Sequence, residues 1–160
     1  MKKIVVVAHC VLNQHSVVKG YKRGNGSFLF ASTLVENNVG ILQLQCPELL
    51  WKGYSREPLE YKDCDNIEYR KICRNLLENT LRELLDYVKN EVVFIGTVGI
   101  ENSPSCSVTS QRGVLMEEFF QLLIENNLNT NYIEVEESYE EPRDLEKFRL
   151  QIMNFIKGEI

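Results

Sequence analysis

Three cysteines of this chain each come soon after a run of apolar, mostly branched residues. Cys10 follows the segment IVVVA, Cys46 follows ILQL, and Cys106 lies beyond VVFIGTV. Thiolates are soft ligands that favour zinc or iron–sulfur clusters over harder metals. Three thiolates without an obvious fourth ligand leave one coordination position open, which is typical of a catalytic metal site. These residues therefore suggest a thiolate-bound inorganic cofactor, provided that the fold brings them together.

The elements around these cysteines alternate between strand and helix patterns. Continuous apolar runs predict buried strands over residues 3–8, 39–45 and 91–98, and a weaker alternation predicts an edge strand over 131–136. Helical spacing predicts helices over 27–37, 65–89 and 113–127, and a last helix from 142 onward. Ser27 and a D-x-x-E box from Asp65 to Glu68 are the expected caps, and Pro142 suits a first helical turn.

This alternation predicts one α/β domain over residues 1–160, with a parallel sheet and right-handed crossovers. We expect a small doubly wound, Rossmann-like sheet of about four strands in the order 2-1-3-4, with helices on both faces. In that order the first strand lies between the second and third, about 4.8 Å from each. Ligands of such sheets bind beyond the carboxyl ends of the strands. The thiols of Cys10, Cys46 and Cys106 are therefore predicted to meet there.

The remaining cysteines and the two histidines give weaker signals. Cys73 falls in an apolar helical stripe and is predicted to be an inert core residue, because free cysteine packs like a small apolar side chain. Cys64 has no convergent partner in the pattern. A zinc site with three cysteines and His9 or His15 stays open as an alternative.

Composition narrows the function classes. The chain has 160 residues, of which 44% are hydrophobic and 26% charged, as in a soluble globular domain. Its net charge of −5 disfavours binding to a nucleic acid polymer. No apolar stretch has the length of a membrane span, and the start of the chain indicates a first strand rather than a signal peptide. We expect a cytoplasmic protein of undetermined oligomeric state with reduced cysteines.

Three segments together resemble the thiouracil desulfurase family. They are VVVAHCVLNQ around Cys10, LQCPELLWKGYSREP around Cys46 and SPSCSV around Cys106. The resemblance implies that these cysteines hold a 4Fe–4S cluster whose fourth iron has no protein ligand. Two features depart from the family pattern: the loop after Cys10 lacks an Arg-Tyr-Asp-Gly-like stretch, and Ser107 follows Cys106 where a glycine is usual.

The resemblance also implies an activity. We expect a non-redox desulfidase of sulfur metabolism that binds a thiocarbonyl small molecule, such as a thiolated nucleobase, through the open iron. Glu48, two residues after a ligand, is the candidate for moving protons, because a carboxyl beside a negative cluster has a raised pKa. Ser103 and Ser105 are expected to hydrogen-bond the substrate or a cluster sulfur, or to serve only the turn at Pro104. Lys19, Arg23 and Arg56 are weaker candidates for lining a substrate entrance.

Other functions that use the loop after a first strand are less consistent with this sequence. A cysteine phosphatase needs an arginine six positions after its nucleophile, where Ser16 stands. The loop also lacks the phosphate-binding residues of a flavodoxin and the G-x-G-x-x-G of a nicotinamide-binding fold. The main alternative is a metal- or sulfur-binding module with a structural zinc or cluster and no catalytic turnover.

Overall fold

The sheet has the predicted strand order. The computed structural model describes residues 1–109 and 111–159. Four strands form one all-parallel sheet in the order β2-β1-β3-β4. Their bounds are β1 (Lys3–Val7), β2 (Val39–Gln43), β3 (Val93–Ile100) and β4 (Tyr132–Val135). The α/β class and the order 2-1-3-4 are thus confirmed, since continuous apolar runs mark strands that are buried on both faces.

Seven helices surround the sheet in the described ranges. They are α1 (His9–Leu12), α2 (Ala31–Glu36), α3 (Pro47–Lys52), α4 (Tyr61–Cys64), α5 (Ile67–Lys89), α6 (Val114–Glu125) and α7 (Leu145–Lys157), and a 3₁₀ turn spans Gln14–Ser16. Helix α5 packs with α3 and α6, whereas α2 packs with α7. Helices therefore pack around the sheet, and α1 and α3 follow the carboxyl ends of β1 and β2.

Three helix starts differ from the sequence prediction. Helix α2 begins at Ala31 rather than Ser27, because Phe28 and Phe30 turn into the core first. Helix α5 is capped by Asn66, whose side-chain oxygen accepts a hydrogen bond from the Tyr69 amide at 2.9 Å. The last helix begins at 145, since residues 140–144 form a hydrogen-bonded turn that includes a cis peptide bond before the proline.

An aromatic cluster fixes the long loop that follows Cys10. The Phe28 ring lies 5.2 Å from that of Phe30, which in turn lies 4.6 Å from Phe148 of α7. Tyr139 packs edge-on against Phe28 at 5.4 Å. Such contacts add directional stability to apolar burial, so the loop is anchored to the α7 side of the sheet.

Within residues 1–109 and 111–159, no helix is both long enough and apolar enough to cross a membrane.

Candidate cysteine-ligated site

The three predicted cysteines leave three adjacent strands at the same edge. Cys10 lies in α1 directly after β1, Cys46 is the residue before α3, and Cys106 lies in the turn after β3. Val7 is paired with Gln43 of β2 and with Val98 of β3, so the three strands reach the edge in register. Parallel pairing therefore delivers all three cysteines to the carboxyl edge of the sheet, as the ligand-binding rule for this fold requires.

The three thiols share one neighbourhood. Cys10 and Cys46 keep part of their surface exposed and Cys106 is buried. Burial raises the pKa of Cys10 to about 12, and the nearby Cys46 contributes to the rise. Burial likewise raises the pKa of Cys106, with further contributions from Cys10 and Cys46. The strand order and these charge effects together place the three thiols in one region at the carboxyl edge of the sheet.

The arrangement does not resemble a compact site for a single ion. Within residues 1–109 and 111–159, no three His, Cys, Asp or Glu side chains are grouped so as to hold one metal ion. The His9 ring places Nδ1 2.9 Å from the Leu44 carbonyl oxygen and Nε2 3.4 Å from the Asn13 amide nitrogen. Groups of the protein thus occupy both ring nitrogens of His9.

Arg56 supplies positive charge beside Cys46 and Glu48. Its guanidinium donates to the carbonyl oxygens of Ser16 at 2.7 Å and of Gly53 at 3.3 Å. Its buried Nε has no hydrogen-bond partner in the described part of the chain. Its charge lowers the pKa of Cys46 and of Glu48, opposing the larger effect of burial. A buried donor left free beside Cys46 and Glu48 would suit an anionic group there, such as a thiolate-bound 4Fe–4S cluster.

The other two basic candidates differ in position. Arg23 donates to the carbonyl oxygens of Glu136 at 2.5 Å and Glu137 at 3.2 Å, and its charge lowers the pKa of Cys10. Lys19 is exposed and forms no hydrogen bond or ion pair with the described residues. The structure thus brings Arg23 and Arg56 to the cysteines, whereas it leaves Lys19 on the outer surface of the loop.

Glu48 lies in the first turn of α3, where it is half-buried. Burial raises the pKa of its carboxyl, while Arg56 and then Ser105 act in the opposite direction. Glu48 in turn contributes to the raised pKa values of Cys10, Cys46 and Cys106. The carboxyl is therefore close to the three thiols and partly screened from water, as an acid–base group requires.

Both serine candidates have partners within the protein. The Ser103 hydroxyl accepts hydrogen bonds from the backbone amides of Cys106 at 3.0 Å and Ser105 at 3.3 Å. The Ser105 hydroxyl is fully buried and lies 2.5 Å from the hydroxyl of Tyr69. These contacts shape the Cys106 turn, and the predicted bonds of the two serines to a substrate or a cluster sulfur stay a prediction.

Comparison with known proteins identifies a relative of this chain. The chain is 40% identical over 157 residues to Uncharacterized protein MJ0003 of Methanocaldococcus jannaschii, with 98% of each chain covered. The chain belongs to the same family as this archaeal protein. No protein-family model matches the chain, and no solved structure matches it. The relative's name states no activity, so the match establishes a shared full-length domain only.

Glu134 is a site residue that the sequence pattern did not reveal. It lies in β4, and its carboxylate accepts hydrogen bonds from the backbone amides of Val108 at 2.7 Å and Thr109 at 3.1 Å. The hydroxyls of Ser107 and Thr109 also contact it. Glu134 thus ties the segment after Cys106 to the edge strand, through contacts that only the folded sheet creates.

Replacing Glu134 by glutamine is expected to lower the free energy of unfolding by about 2 kcal/mol. The side-chain amide places an NH₂ group against backbone donors, which removes charge-assisted hydrogen bonds. Urea denaturation measures the change. Glu136→Gln is the matched control. The Glu136 side chain is exposed and its ion pair with Lys147 is long, at 3.8 Å, so this change should lower the free energy of unfolding by less than about 0.5 kcal/mol. Equal effects of the two changes would contradict an anchoring role for Glu134.

Proposed function

We propose that this chain is an iron–sulfur-dependent, non-redox desulfidase of the cytoplasm that removes sulfur from a thiocarbonyl small molecule. Cys10, Cys46 and Cys106 are the proposed ligands of a 4Fe–4S cluster. The observation that supports this proposal is the shared neighbourhood of three thiols at the carboxyl ends of three adjacent parallel strands. Free thiols stay reduced in the cytoplasm, which suits such a ligand set.

When bound, the cluster would supply an iron without a protein ligand, a Lewis acid that accepts a soft thiocarbonyl sulfur. The overall reaction exchanges C=S and water for C=O and hydrogen sulfide, so atoms balance and no electrons are transferred. For the chain to bind the cluster, its three cysteine thiols must lose their protons. Arg23 and Arg56 place positive charge beside Cys10 and Cys46, where it favours the thiolates.

Glu48 is the proposed acid–base group. Its carboxyl lies in the first turn of the helix that follows Cys46, near Ser105 and Arg56. Burial makes its proton easier to retain at neutral pH, so the group can exchange a proton with water or with the departing sulfur. The unpaired Nε–H of Arg56 is able to donate a hydrogen bond to an acceptor atom of the substrate.

Replacing Glu48 by glutamine is expected to leave the iron content unchanged and to lower the rate of sulfide release at least about a hundredfold, because general acid–base catalysis contributes that much. The assay uses anaerobically reconstituted protein and a thiolated pyrimidine. Glu57→Gln is the control, since Glu57 is exposed in the following loop. Full turnover by Glu48→Gln would remove this residue from the mechanism.

One observation favours the alternative of a binding module without turnover. Cys106 is buried, and a metal centre closed to solvent is typical of a structural site. In that case removal of the metal should unfold the domain, and the loaded protein should neither bind a small thione nor release sulfide.

A further inference from the structure

Tyr69 connects two of the three cysteine-bearing segments. It lies in α5 and is fully buried. Its hydroxyl is 2.5 Å from that of Ser105, which directly precedes Cys106. Its ring packs at 4.8 Å against Trp51 of α3, the helix that begins after Cys46. One side chain therefore contacts both the turn of Cys106 and the helix that presents Glu48.

The two hydroxyls form one buried hydrogen bond, in which either group is able to donate. Both side chains are fully buried, so each hydroxyl needs a partner inside the protein. Removing either hydroxyl would break this bond between α5 and the Cys106 turn.

We propose that Tyr69 is a positioning residue of the cysteine site: its hydroxyl holds Ser105 and with it the Cys106 turn, and its ring holds α3 against that turn. The effect on turnover rests on the proposed function. The effect on the cysteine segments does not, since the same contacts hold the Cys106 turn in the metal-free protein. Sequence spacing placed Tyr69 in an apolar stripe, although a buried tyrosine hydroxyl needs a partner.

The first test measures alkylation rates of individual cysteines in the metal-free protein by peptide mass mapping. Tyr69→Phe keeps the ring and removes the hydroxyl, so Cys106 should react roughly tenfold faster. Ser105→Ala should have the same effect, and the double variant should react no faster than either single one, because both changes break one interaction. Tyr61→Phe is the control, since its hydroxyl bonds Glu117 instead.

Urea denaturation of the same variants distinguishes local from global opening, because a change confined to the Cys106 turn leaves most of the free energy of unfolding in place. An unchanged Cys106 rate in both single variants, effects that simply add in the double variant, or a parallel rise at all five cysteines would each overturn the proposal.

The second test uses the reconstituted protein. Tyr69→Phe should lower kcat for sulfide release about tenfold or more at an unchanged KM, because the Cys106 turn is no longer held against α3. Wild-type kinetics in this variant would overturn a role of Tyr69 in turnover. A wild-type protein that releases no sulfide would refute the desulfidase proposal, and the alkylation rates would still decide the role of Tyr69.

Discussion

Replacing Cys46 by serine is expected to lower the iron bound per chain more than about tenfold after anaerobic reconstitution, because a serine hydroxyl is a harder ligand that stays protonated. The change is structurally mild. The Cys46 sulfur accepts a hydrogen bond from the Leu49 amide at 3.5 Å at the start of α3, and serine is a favoured residue at this capping position. Loss of iron with the helix intact would therefore separate ligation from folding.

Cys73→Ala is the matched control for that experiment. Cys73 is also a free cysteine, but it is fully buried within α5 and is not one of the proposed ligands. Iron content should stay at the wild-type value in this variant. A Cys46→Ser protein that retains all of its iron would contradict the ligand assignment, as would equal losses in both folded variants.

Replacing Gly113 by alanine is expected to cost about 3 kcal/mol of folding free energy and to displace the Cys106 turn. A methyl group at Gly113 would lie 2.6 Å from the Cys106 amide nitrogen and closer still to the Ser105 carbonyl group. These are backbone atoms, which have no rotamer by which to move aside. Gly113 also donates a hydrogen bond to the Ser107 carbonyl oxygen at 2.8 Å, so the turn and the start of α6 move together.

Gly26→Ala separates this contact from the general effect of losing a glycine. A methyl group at Gly26 meets no atom within 4 Å, so stability and iron content should change little. The measurements are urea denaturation of the metal-free protein and iron quantification after reconstitution. A Gly113→Ala protein as stable as the control, with full iron content, would show that close packing at this turn is not required.

The strand order followed from the sequence because the strongest signals were local. The continuous branched run of β1 and its paired neighbours marks buried parallel strands, and alternation with helices leaves few topologies. The first residue of a helix was harder to predict, since Phe28 and Phe30 are buried in the core before α2 begins. Tertiary burial there outweighed the capping preference of Ser27.

The common edge of the three cysteines was predictable from the sequence, whereas the residues that support them were not. Strand ends meet at one edge, so Cys10, Cys46 and Cys106 follow from the topology alone. Tyr69 and Glu134 act through partners 36 and 26 residues away, and no local pattern encodes such pairs. In the sequence they appear only as one member of an apolar helical stripe and one of a weak edge strand.

The central claim is that three thiols hold one cluster, and the most direct test is to quantify iron and acid-labile sulfide in the wild-type protein after anaerobic reconstitution. We expect about four iron and about four sulfide per chain, in a brown protein that bleaches in air. A folded protein that takes up no iron, or that binds one zinc per chain instead, would contradict the cluster and the desulfidase chemistry built on it.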